Sequence, residues 1–166
     1  MSQVPRTRLG IAAAALLLAV LAGAFFFLRS GASAGVGEPV IDGGFTMTVT
    51  KVERLARIGS ESLGKAAKGQ FVVVHLSVKN SGTRAQAFIS DSQKLLAGGE
   101  EYPADPGAAV FVDGADSKLL YEKIKPGDTI TGAVVFDVPK GVLPDGVELH
   151  ERASSGGAEV SLRSGR

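Results

Sequence analysis

Hydrophobic residues fall into two patterns along this chain, one unbroken block near the N-terminus and a series of alternating segments after it. The block is Leu9 to Leu28, LGIAAAALLLAVLAGAFFFL, 20 residues without a charge. At about 1.5 Å of helical rise per residue it spans a hydrocarbon core of about 30 Å, so it predicts a transmembrane helix or the core of a signal peptide. The alternating segments have the period of two expected of half-buried strands. In FTMTVT, Phe45, Met47 and Val49 share one face and Thr46, Thr48 and Thr50 the other. In QFVVVHLSVKN, Val72, Val74, Leu76 and Val78 form an apolar face, opposed by a mixed face of Phe71, Val73, His75, Ser77 and Lys79. This segment predicts a central strand.

Further strands follow in RAQAFIS, in the two halves of KLLAGGEEYP joined through Gly98-Gly99, in SKLLYEKI, and in VELHE and AEVSLR. KPGDTITGAVVFDVPKG reads as a tight turn at Pro126-Gly127 and then a strand. Proline presets φ and glycine tolerates positive φ, so the pair suits the central positions of a turn. Along that strand Ile130, Val134, Phe136 and Val138 face one way, Gly132 marks a bulge or a close approach, and Pro139 ends the pairing. About eight short strands with no amphipathic helix predict an all-β fold, an antiparallel immunoglobulin-like β-sandwich preceded by one N-terminal helix.

These patterns divide the chain into a basic cytoplasmic segment at 1–8, the apolar run at 9–28, a tether at 29–43 rich in small residues, and a sandwich domain at 44–163. ERLARIGSESLGKAAKG, inside the domain, is expected to be a solvated loop or a short helical turn packed on the sandwich. Its mildly basic character, with Arg54, Arg57, Lys65 and Lys68, also suits contact with anionic lipid or cell-envelope polymer. Arg6 and Arg8 precede the run and no acid does, which favours a cytoplasmic N-terminus and an exported domain. Ala32-Ser33-Ala34 also offers a small-x-small signal-peptidase site, with cleavage after Ala34. Both fates stay open: a single-pass membrane protein with its C-terminal domain outside, or a secreted one.

Composition narrows the chemistry. The 166 residues include no cysteine, which removes disulfides, thiolate metal sites and an acylated N-terminal cysteine. Three of the 18 Lys and Arg and none of the 17 Asp and Glu precede Gly35, leaving 15 bases against 17 acids beyond it. A domain this close to neutral lacks the cationic excess that nucleic acid demands.

FTMTVTKVE, KGQFVVVHLSVKNSG, LLAGGEEYP and KPGDTITGAVVFDVPKG, in that order, resemble the telokin-like, immunoglobulin-like domain of unknown function found in exported proteins of actinobacteria and other Gram-positive bacteria, the fold of a mycobacterial secreted immunogenic protein. The resemblance covers about Phe45 to Glu151. It implies an immunoglobulin-like sandwich with no catalytic residue to carry over. Many members are lipoproteins, and the missing cysteine means that this anchoring does not transfer.

Candidate chemistry is sparse. GASAG at Gly31–Gly35 matches the G-x-S-x-G pattern of a serine hydrolase, but a strand before it and a helix after it are not expected here. His75 and His150, the only histidines, could share soft-metal ligation with Met47, although Met47 falls on the core face and His75 on the opposite one. Asp105, Asp113, Asp116, Glu100 and Glu101 gather acids in a loop-like region of the kind that binds calcium, or that simply keeps an exported surface soluble. Phe88, Tyr102 and Phe111 are candidate partner anchors or core residues. The expectation is a non-enzymatic envelope domain without a cofactor, which binds an envelope protein or cell-wall component; the alternative is a metal or small-ligand carrier.

Overall fold

The computed structural model describes residues 34–112, 119 and 122–163. The basic segment at 1–8, the apolar run at 9–28, most of GASAG, Asp113, Asp116 and half of SKLLYEKI lie outside the described residues. No helix among the described residues is long and apolar enough to cross a membrane.

Two four-stranded antiparallel sheets make a β-sandwich. One has the order β1 (Pro39–Asp42), β2 (Phe45–Ile58), β3 (Lys65–Asn80), β8 (Thr129–Val138). The other runs β10 (Ala158–Ser161), β9 (Gly146–Leu149), β5 (Lys94–Ala97), β6 (Glu100–Pro103). A two-residue pair, β4 (Gln86–Ala87) and β7 (Lys123–Ile124), lies outside both, and a single 3-10 turn follows β4 at Ser90–Ser92. The main core fills the space between the sheets with Phe45, Met47, Leu76 and Phe136 from the first and Leu95 and Leu149 from the second. Each such fully buried side chain contributes about 1.5–3 kcal/mol of transfer free energy.

Several expected features are present. Ala97 pairs with Glu100 across Gly98-Gly99, both at positive φ, as a two-residue hairpin turn requires. Asp128 N–H donates to Lys125 C=O at 3.0 Å, closing the Pro126-Gly127 turn, with Gly127 at φ 84°. Gly132 is a close-approach point and not a bulge: its pairing with Leu76 is in register, and a Cβ there would lie 2.5 Å from Leu119 Cγ.

Other features depart from the sequence pattern. The predicted loop at 53–69 is mostly strand, because β2 continues to Ile58 and β3 starts at Lys65. Irregularities in the β2–β3 register at Val49/Lys51 and Leu55/Arg57 explain why alternation was lost there. An extra residue shifts the phase of a period-two pattern and turns the following side chains to the other face. The predicted tether is likewise part of the fold from Ala34 onward. Ala34 bridges Val160, its carbonyl accepting from Ser161 N–H at 2.7 Å, and Pro39–Asp42 pairs with β2.

The mixed face of β3 is wet only in part. Phe71 and Val73 are buried there with Ala133, Val135, Ala108 and Ala109 in a second, smaller core. The cover is α1 (Pro106–Ala109), a single turn that Asp105 caps by accepting the Ala108 N–H at 2.8 Å. A four-residue helix leaves no amphipathic repeat in the sequence, which is why none was expected.

Candidate functional site

The residues proposed for metal do not meet. Met47 is fully buried in the main core. His75 projects from the opposite face of the same sheet, where its Nε2 lies 2.7 Å from Glu53 Oε2. Glu53 Oε1 is 2.7 Å from Lys51 Nζ, and these two hydrogen bonds, from Lys51 first and from His75, hold the Glu53 carboxyl below its ordinary range. The arrangement is a surface ion cluster of modest energetic weight. His150 stands at the end of β9 in the other sheet, buried, with Gly157 packed on its ring. Among the described residues no three His, Cys, Asp or Glu converge as a metal site would need.

His150 belongs to a polar knot that closes one end of the sandwich. Its Nε2 lies 3.3 Å from Glu148 Oε2, within ion-pair distance but not aligned as a hydrogen bond. Ser155 Oγ lies 3.5 Å from His150 Nδ1 and 2.7 Å from Arg152 C=O, so its hydroxyl stands among several acceptors at this end of the sandwich. Asp42 accepts from Glu151 N–H at 2.6 Å and Gly157 N–H at 3.1 Å. Burial alone would raise the Asp42 carboxyl; the hydrogen bonds from Ser155, Glu151 and Gly157 and the nearby His150 outweigh it and hold the group below its ordinary value. Glu151 in turn accepts from Gly44 N–H at 2.8 Å and from Gln86 Nε2 at 3.1 Å. The Asp42 and Glu151 contacts tie the end of β1, the turn at Gly44 and β4 to the 150–157 loop, which is structural work.

The acids of the central region have similar explanations. Asp105 caps α1 and pairs with Lys65 Nζ at 2.8 Å, and Glu101 pairs with Lys94 at 2.9 Å. The three aromatics are not exposed anchors: Phe88 is buried against Phe45, Tyr102 packs on the main core and Phe111 on the smaller one.

The feature with the geometry of a binding site is one that sequence reasoning missed. A groove of about 840 Å³ opens at an end of the sandwich, between β2, the 143–145 segment before β9 and the chain after β10. Its floor, Val52 and Leu162, packs against the main core. Val36 and Leu143 stand at its margin, 46% and 62% exposed. Arg54 and Arg163 supply positive charge and Asp145 the single carboxylate in the lining. That carboxylate is engaged: it accepts from Arg163 Nε at 3.0 Å and from Gly98 N–H at 2.7 Å, and these two contacts lower the Asp145 pKa. Arg54 makes no ion pair among the described residues, so its guanidinium is the uncompensated charge of the groove. The only sequence signal was Arg54 placed in phase with Val52, hidden by the register irregularity that precedes them.

No curated protein matches the chain. Solved structures resemble it in fold. The yjhA protein of Bacillus subtilis is 14% identical with a TM-score of 0.56, over 78% of this chain and 99% of that one. The secreted protein MPT63 of Mycobacterium tuberculosis is 12% identical with a TM-score of 0.54, over 80% and 97%. A functionally unknown protein of Listeria monocytogenes is 14% identical with a TM-score of 0.53, over 80% and 85%. Identities this low speak for the β-sandwich alone. A family model matches residues 34–160, which span both sheets from the Ala34 bridge to its partner Val160, and the chain therefore belongs to the family described as domain of unknown function DUF4352.

Proposed function

We propose that this chain is a non-enzymatic binding domain of the bacterial cell envelope, exported and held at the membrane by its N-terminal apolar run, with an immunoglobulin-like sandwich as its scaffold. The observation that carries this reading is the groove. Its volume of about 840 Å³ lies in the range of small-ligand sites, and it sets a few charged groups beside an apolar floor. The 20-residue run at Leu9–Leu28 and the secreted character stated for the M. tuberculosis fold relative support an extracytoplasmic setting.

Because the chain has no cysteine, a single introduced one reports without background. In cells making full-length Ser62→Cys, at the exposed tip of the β2–β3 hairpin, a membrane-impermeant maleimide is expected to label before lysis. Labelling only after lysis would end the export reading. A photo-crosslinking residue at Leu143 should give adducts that the same residue at Ser62 does not. Identical patterns from the two sites would mean that the groove binds nothing.

A further inference from the structure

The groove lies where the described fold begins in the sequence. Gly35 and Val36 line it, and Ala34 is fastened to β10 directly beside them. Six residues lead from Leu28 to Ala34, an extended reach of at most about 20 Å. If the apolar run stays in the bilayer, as the proposed function holds, the part of the fold bearing Gly35 cannot move further than that from the last membrane residue. Headgroups would then be presented to the groove intramolecularly, at the high effective concentration that a short tether produces.

The chemistry of the groove fits such a ligand. Val36 and Leu143 are large apolar side chains left in water, adjoining a floor that continues the core. Beside them stand Arg54, whose guanidinium has no ion-pair partner among the described residues, and Arg163, held by Asp145. Guanidinium recognises phosphate through paired N–H donors, and an exposed apolar margin accepts the glycerol and first methylenes below it.

We infer that the groove binds an anionic phospholipid of the membrane that carries the protein, with the phosphate on Arg54 and the acyl side against Val36 and Leu143. The inference rests on the tethered reading above and names the ligand of that groove.

The test uses the full chain with an environment-sensitive fluorophore on Leu143→Cys, or on Ser62→Cys as reference, reconstituted into phosphatidylcholine vesicles with or without phosphatidylglycerol. The expected result is a blue shift, and quenching by spin-labelled lipid, at position 143 in phosphatidylglycerol vesicles only, with position 62 unchanged in both. Arg54→Glu should abolish the shift while the protein still floats with the vesicles. A chain that floats with both vesicles while position 143 stays in water overturns the docking and leaves the tether standing. A chain that floats with neither overturns the tether and the docking with it. A shift produced by glycerol 1-phosphate without vesicles would make the groove a soluble-anion site and overturn the lipid assignment.

Discussion

Gln93 shows what a single buried polar residue does in this sandwich. Its side chain is fully buried, and it donates to Ile89 C=O at 2.7 Å and His150 C=O at 2.9 Å while accepting from His150 N–H at 2.7 Å. The amide thus supplies hydrogen bonds beyond the last β5–β9 pair, Lys94 and Glu148, where the strands separate. Gln93→Leu keeps much of the volume and removes all three bonds, leaving the His150 backbone groups buried without partners. The expected loss is about 2–4 kcal/mol, read as a lower urea midpoint at unchanged slope. A variant as stable as the parent would show that water replaces the amide. Asn80 has a similar role at the last residue of β3, donating to Arg84 and Ile124 carbonyls at 2.7 and 2.8 Å. The sequence pattern places Asn80 at the end of a strand and does not show its burial, because which polar groups a loop encloses is not a local property.

At the scale of the strand, period two predicts which face each residue of β3 takes, but it does not say whether that face is covered. The Val72, Val74, Leu76, Val78 face was legible because it is wholly apolar, and all four are buried in the main core. Val74→Asp places an unpaired charge there and is expected to unfold the domain. Thr48→Asp, on the half-buried outer face of β2, should cost far less. Circular dichroism melts of the two variants check the assignment, and equal melting would refute it. On the other face of β3 the sequence mixes Phe71 and Val73 with His75 and Ser77 because its two halves have different neighbours. The smaller core covers the first pair, and the Glu53 cluster meets His75. In β2 the alternation ended at the first irregularity, and with it the signal for Val52 and Arg54.

For the whole molecule, acid sensitivity follows from carboxylates that serve as joints. Asp42 and Asp105 both sit below the ordinary value of 3.8. At Asp105 burial pushes upward and is outweighed by the hydrogen bond from Lys65, the N–H of Ala108, the charge of Lys65 and the N–H of Gly107. A group whose folded pKa is depressed adds stability that is fully present above its unfolded value and disappears as pH falls through the folded one. Stability should therefore be level near neutrality and decline as pH falls from about 5 toward and below 3.8. Asparagine caps a helix as well as aspartate does, so Asp105→Asn should fold and show a shallower decline over that window. Urea titrations at stepped pH measure this; an unchanged slope would remove Asp105 from the account.

What the sequence determined by itself were the properties written in short windows. They are the all-β class, the hairpin turn at Gly98-Gly99, the Pro126-Gly127 turn and the core face of β3, each a matter of period two or of backbone freedom at a glycine. Only the tertiary structure decided where register irregularities turn a strand over, that Ala34 and Pro39–Asp42 belong to the sandwich, and which polar groups are enclosed. It alone assembled the groove, because Val36, Arg54, Leu143 and Arg163 come from four separate segments, and pairing and packing over long sequence distances is what brings them together.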